Sequence, residues 1–305
     1  MTDFTLESRV AVVTGSGRGL GRSHALALAK AGASIVVNDL GASLSGEGAS
    51  TLAAEDVVAE IVAAGGKAVA DATDITTPEG GAALVAKAVD IFGGIDILVN
   101  NAGILRDRSA HKMTAQDVEP VLDVHLRGAF NVTLPAYAHM REAGYGRIVM
   151  TSSASGLMGN FGQLNYGAAK AALLGFVKVL SIEGANKGVR VNAISPVAST
   201  RMTEAEFGDL AGLFPPDFVS QLVLYLASER CGVSGEVFSV GGGQVSRIFV
   251  GLTEGIFRPE GVFSPQEIEA ALPEIMNVSG HSLPRSLSDE WEKIMRLHKI
   301  PTTRG

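Results

Sequence analysis

"RVAVVTGSGRGLGRS", Arg9 to Ser23, is the stretch that decides the fold. It opens on a short apolar run, turns through glycines and leaves on a helical pattern. Glycine lets a chain turn tightly and lets a phosphate approach the backbone. The helix start behind it offers free N–H groups and a partial positive charge. The candidate cofactor contacts are Gly15, Ser16, Gly17, Arg18, Gly19, Leu20 and Gly21. A tight strand–helix turn without a ligand would also use glycine. The position after an N-terminal strand favours a dinucleotide cradle.

The pattern repeats outward. Apolar strand-like runs alternate with amphipathic helical segments up to about residue 246. Fully apolar strands between such helices imply a parallel sheet covered on both faces, a doubly wound α/β fold. One long helix is expected from Thr114 to Ala143 and another from Leu164 to Lys187. From Arg247 the alternation stops. "SPQEIEAALPEIM" and "LSDEWEKIMRL" read as two short helices with serine N-caps. Residues 1–246 are therefore expected to form the catalytic domain. Residues 247–305 are expected to be a short helical C-terminal extension, not an independent domain, with Trp291 anchoring it by packing.

Composition narrows the function. The chain of 305 residues carries a net charge of -7 with scattered basic residues, which argues against nucleic-acid binding. No apolar run approaches the roughly 20 residues of a membrane span. Cys231 is the only cysteine, which fits a reducing interior. No metal site is expected.

The second strand ends at Asp39, 18 residues after Gly21. A carboxylate there can accept both ribose hydroxyls and would repel a 2′-phosphate, which favours NAD over NADP. An Asp that only caps a loop is the weaker alternative. Arg18 and Arg22 keep NADP open. Asp74 and Ile75, at the end of the third strand, lie where an adenine is expected.

Tyr166 and Lys170 are at i and i+4, on one face of a helix. A phenol ionises near pH 10 and is a poor base at neutral pH, with pKa about 10. A neighbouring ammonium lowers that value, so tyrosine can exchange a proton with an alcohol while a hydride moves. Ser153 lies 13 residues earlier, at the C-terminal end of the fifth strand, where such sheets bind ligands.

"TGSGRGLG", "NNAG" (Asn100–Gly103), Ser153 and "YGAAK" together resemble the short-chain dehydrogenase/reductase family, over about residues 5–245. The resemblance implies a seven-stranded Rossmann sheet and a catalytic set of Ser153, Tyr166 and Lys170. Lys170 and Tyr166 would also touch the nicotinamide ribose, and Asn101, Ala102 and Gly103 would lie beside the adenosine. Pairing of subunits through two long helices is implied, giving a homodimer or homotetramer.

Within that family, "VVNDLG", "NNAGILRDRS", "HLRGAF", "GNFGQLNY" and "STRMT" are similar to the dehydrogenase units of the type 2 peroxisomal multifunctional enzymes. That likeness implies NAD-dependent oxidation of a (3R)-hydroxyacyl-CoA to a 3-ketoacyl-CoA in fatty-acid or sterol side-chain β-oxidation. The chain has no room for the units that follow in those enzymes, and its "TTRG" end is not a peroxisomal address. A cytoplasmic, stand-alone enzyme is expected. The rival substrates are a 17β-hydroxysteroid and, less readily, an oxoacyl carrier protein. A non-catalytic NAD-binding protein is the alternative from another class.

Two positions depart from the family pattern. Many members carry a catalytic asparagine 41 residues before the tyrosine, and here that residue is His125. It falls beside an apolar stripe of Leu122, Leu126 and Phe130, so a buried structural histidine and a catalytic one both fit. The usual Pro-Gly after the sixth strand is Pro196-Val197. Its backbone is still expected to meet the nicotinamide amide, with Thr200 nearby. Arg106, Arg108, His111 and Lys112 form a basic loop that either meets CoA phosphates or is plain solvated surface.

Overall fold

The computed structural model describes residues 4–48, 50–200, 203 and 207–301. Arg201 and Met202 of the "STRMT" motif, and the terminal "TTRG", lie outside them. The chain folds as two compact units, residues 1–247 and residues 248–305.

The first unit is built on one sheet. Its strands are β1 (Val10–Thr14), β2 (Ser34–Asn38), β3 (Lys67–Asp71), β4 (Ile97–Asn100), β5 (Gly146–Thr151), β6 (Val189–Pro196), β7 (Val237–Gly241) and β8 (Gln244–Ile248), in the order β3-β2-β1-β4-β5-β6-β7-β8. The pairs from β3 to β7 are all parallel. Every residue of β1, β4 and β5 is buried, as central strands covered on both faces require. The expected seven strands are present, and β8 is an eighth. Only Gly242 and Gly243 separate it from β7, both with positive φ. Two residues can join only antiparallel neighbours, so β8 returns as a hairpin along the sheet edge.

Helices α1 (Gly19–Lys30), α2 (Leu52–Ala63), α3 (Pro78–Phe92), α4 (Ala115–Leu122), α5 (Gly128–Ala143), α6 (Ala154–Met158), α7 (Leu164–Gly184) and α8 (Pro216–Ala227) pack around the sheet. Leu28, Val57, Ile61, Val219 and Val223 form one core with the β1 and β2 side chains. The stretch Gly208–Ala227 is long and apolar enough, by length and composition, to cross a membrane. It is broken before Pro216 into a 3-10 turn and α8, and α8 buries Val219, Val223 and Leu226 in the core.

The order of the strands reverses direction between β1 and β4. The C-terminal edges flanking this switch point form the crevice where open α/β sheets bind ligands. Thr14, Asn38, Asn100 and Thr151 end their strands there.

The long helix expected over residues 114–143 is interrupted. A π turn, Asp123–Arg127, separates α4 from α5. The extra residue shifts the helical phase. Phe130, expected in the apolar stripe, is 43% exposed, while Val121, His125 and Ala129 are buried. His125 therefore lies within the buried stripe and not beside it. The other long helix, expected to reach Lys187, is α-helical to Gly184 and ends in a 3-10 turn.

The second unit holds α9 (Pro265–Ile275) and α10 (Leu287–Leu297). Ser264 and Ser286 close capping boxes with Glu267 and Asp289. The second cap thus precedes the Ser288 of the quoted segment. Trp291 does not anchor the tail, being 62% exposed. Leu287 and Ile294 are exposed with it.

Candidate active site

Asp39 follows directly after β2 and joins the glycine loop to what comes next. Its Oδ2 accepts from the Gly17 N–H at 2.7 Å and its Oδ1 from the Gly41 N–H at 2.7 Å. Gly15 has φ +63°, and a Cβ at Gly21 would fall 2.2 Å from the Gly15 carbonyl oxygen. Both positions admit only glycine if the loop is to keep its course. The first turn of α1 has no intrahelical acceptors for its N–H groups. A cleft of about 470 Å³ opens beside it.

That cleft gathers most of the residues singled out by the sequence. Gly15, Arg18, Gly19, Leu20, Gly21 and Asp39 line it at one end. Asp74, Ile75, Asn101, Ala102 and Gly103 follow, and His125, Ser153, Tyr166, Lys170, Pro196 and Thr200 complete it. Asp74 lies in the loop three residues past β3, where its Oδ1 accepts from Thr76 N–H at 2.9 Å.

Three candidates do not line the cleft. Ser16 is fully buried, and its hydroxyl donates to the Val13 carbonyl at 2.7 Å. Gly17 packs behind the loop, where a Cβ would meet Ala53 and Asp39. Val197, expected to offer its N–H to a nicotinamide amide, gives it to the Val240 carbonyl at 2.8 Å, an extension of the β6–β7 pairing. Ala198 lines the cleft in its place.

Tyr166 and Lys170 share one face of α7, with the Lys170 Nζ 5.6 Å from the centre of the Tyr166 ring. The ammonium donates to the Thr151 carbonyl at 2.6 Å. Burial pushes its pKa down to about 7. The Ser152 hydroxyl donates to the Lys170 carbonyl at 2.9 Å, which ties the end of β5 to α7. Ser153, next in the chain, caps α6 and lines the same cleft.

His125 stands edge-on to Tyr166, with ring centres 5.1 Å apart at 87°. Its Nε2 lies 3.1 Å from the Ile104 nitrogen and 2.8 Å from the Ile104 oxygen. Either tautomer therefore commits Nε2 to the Ile104 backbone. Burial, then the charge of Lys170, holds its pKa well below the ordinary imidazole value. The ring is neutral at pH 7, and Nδ1 has no hydrogen-bond partner among the described residues. Gly103 makes room for it, since a Cβ there would fall 2.4 Å from His125 Cε1.

Other polar groups support the site, two of them from inside the quoted motifs. Thr14 Oγ1 accepts from the N–H groups of Asn101 and Ala102, at 3.0 and 3.1 Å. Asn165, buried beside Tyr166, donates to the carbonyls of Arg106 and Asp117. Their only signal in the sequence is membership of those motifs, which does not mark them out from their neighbours. In the basic loop, Arg108 pairs with Asp117 at 3.4 Å and Arg106 donates to two backbone carbonyls, so two of the four cations are engaged by the protein. His111 and Lys112 are exposed.

A parallel sheet, a glycine cradle at its switch point and a half-buried tyrosine paired with a buried lysine beside a serine define a dinucleotide-dependent oxidoreductase. The glycine cradle fits a nicotinamide dinucleotide, since backbone crowding at Gly15 and Gly21 keeps side chains out of its course. Residues 9–210 match the model of the short chain dehydrogenase family, and the chain belongs to it. Family members use NAD or NADP. The chain is 45% identical over 278 residues to a short-chain type dehydrogenase/reductase of Mycobacterium tuberculosis, covering 90% of this chain and 96% of that one. It is 45% identical over 282 residues to the peroxisomal multifunctional enzyme type 2 of Drosophila melanogaster, covering 92% of this chain but 47% of that enzyme. The full-length structure of that enzyme superposes with a TM-score of 0.82, over 97% of this chain and 50% of that one, at 34% identity. A hydroxyacyl-CoA dehydrogenase of Mycobacterium tuberculosis is 42% identical over 289 residues, 88% of each chain.

Proposed function

We propose that the protein is an NAD-dependent 3-hydroxyacyl-CoA dehydrogenase acting on the 3R alcohol. The observation that carries the reaction type is one cleft holding the glycine cradle, Ser153, Tyr166 and Lys170. The substrate class rests on the relatives named as a hydroxyacyl-CoA dehydrogenase and as a multifunctional enzyme. Asp39 supports NAD, because it lines the cleft and a 2′-phosphate beside it would meet a negative charge. Arg22, the residue that kept NADP open beside Arg18, does not line the cleft and pairs with Glu60.

The bound nicotinamide supplies a hydride acceptor. Tyr166 takes the proton of the substrate hydroxyl, and Ser153 donates a hydrogen bond that holds the same oxygen. Lys170, when protonated, favours the phenolate that makes Tyr166 a base. His125 is neutral and tied to Ile104, so it shapes the pocket and does not act as the base. We further propose a homodimer or homotetramer working in the cytoplasm. The exposed Phe130, Leu134, Val179 and Ile182 on α5 and α7 support self-association.

The test follows absorbance at the NADH band with (3R)- and (3S)-hydroxyacyl-CoA and a free 17β-hydroxysteroid, each with NAD and with NADP. Turnover of the 3R thioester with NAD is the expected result. Turnover of the steroid alone, or of the 3S isomer alone, overturns the substrate assignment.

A further inference from the structure

The loop after β2 borders the cleft. Ala42, Ser43, Leu44 and Gly46 line it together with Asn101–Ile104. Two bonds stitch this strap, residues 41–48, to the loop after β4. The Leu105 N–H donates to the Leu44 carbonyl at 3.0 Å, and the Arg106 Nε–H donates to the Ser45 carbonyl at 3.0 Å. Gly46 lies against Ile104, where a Cβ would come within 3.1 Å of the Ile104 side chain. At its root the strap is held by Asp39, the carboxylate proposed to meet the adenosine ribose.

Arg106 joins three parts of the site. Its Nε holds the strap, and its Nη1 donates to the Gln116 carbonyl in α4 at 2.8 Å. Its own carbonyl accepts from Asn165 Nδ2 at 3.0 Å, one residue before Tyr166. The guanidinium of this nominally basic loop is therefore turned towards protein carbonyls. A planar fork can hold two such acceptors at once, which a lysine ammonium does with less geometric control.

We propose that the strap is a latch over the dinucleotide cleft, with Arg106 as the positioning residue that keeps it shut against the loop after β4. The latch sets how long the nucleotide stays and links its release to the loop beside Tyr166. It rests on the reading of the cleft as a nicotinamide dinucleotide site. Arg106 accordingly serves the cofactor and not the phosphates of the thioester substrate.

Stopped-flow fluorescence measures NADH dissociation from the wild type, Arg106→Ala, Arg106→Lys and Gly46→Ala. The expected result is about a tenfold faster release in Arg106→Ala, the scale of one charge-assisted hydrogen bond at about 1.4 kcal/mol per decade. Arg106→Lys is expected to fall between, and Gly46→Ala to speed release by straining the strap at a φ of +88° beside Ile104. The KM for NAD rises with the off-rate, while the KM for the CoA thioester stays within about twofold of the parent. Gly46→Ala leaves Arg106 in place, so it tests the latch even if the arginine variants misfold. Unchanged NADH release in the folded variants overturns the latch. A rise in KM confined to CoA thioesters, absent with the matching short thioester lacking the nucleotide, assigns Arg106 to the substrate and overturns it too. Failure of the wild type to bind NADH at all refutes the cofactor reading itself, which is a separate outcome.

Discussion

Two helices reach the same cleft by different means. α7 is regular from Leu164 to Gly184 and carries Tyr166 and Lys170 one turn apart. The helix formed by α4 and α5 is broken by a π turn, and His125 sits in the break. Lys170 and His125 are both buried, and burial drives both towards the neutral form. Their uses diverge. Lys170 lies beside the phenol and keeps one strong bond to the end of β5. His125 gives its Nε2 to the backbone of the loop that follows β4. The regular helix presents reacting groups in register, and the broken one supplies a brace.

The largest effect is expected at Tyr166. Tyr166→Phe should lower kcat about 1000-fold, within the usual range for loss of a positioned proton acceptor, while NADH affinity stays within about threefold by fluorescence titration. Normal turnover would remove the reacting role from α7.

Lys170 gives a sharper contrast through stability. Its pKa in the folded protein, about 7, lies below the ordinary 10.5. Between those values the unfolded chain holds a proton that the folded one has lost, so stability rises with pH across that window. Lys170→Met removes the buried ammonium. The variant should melt a few degrees above the parent at pH 7, and the gap should shrink as pH approaches 10. A gap independent of pH would show that burial does not control this lysine.

The smallest effect belongs to His125. His125→Asn should keep kcat within about threefold and leave the pH profile of kcat/KM unchanged. Loss of the buried bond should lower Tm by about 2–4 °C, as about 1 kcal/mol implies in a chain of this size. A lost or shifted pH limb would turn the brace into a proton carrier and erase the difference between the helices.

The same contrast explains what is legible in the sequence. Tyr166 and Lys170 are readable because α7 keeps the period of 3.6 that places i and i+4 on one face. The glycine loop is readable because close backbone approach excludes every side chain but hydrogen. The π turn is not readable, because Leu122, Leu126 and Phe130 fit an unbroken helix equally well. Only packing reveals that the buried positions are Val121, His125 and Ala129. Val197 misleads for a related reason. Its backbone looks available for a ligand, yet the ladder to Val240 continues one residue past β6. Trp291 looks like an anchor because indoles are usually covered, yet it stays exposed along with Leu287 and Ile294. Arg106 looks like part of a ligand patch, because a sequence does not say which carbonyls a guanidinium will find.

The space that Gly103 leaves for the His125 ring ties two positions far apart in the chain. A methyl group at residue 103 is blocked while an imidazole occupies residue 125. Replacing the ring by a smaller side chain first would lift the block. The two sites thus have a permitted order of change, and a drifting lineage could pass one way through the pair more easily than the other.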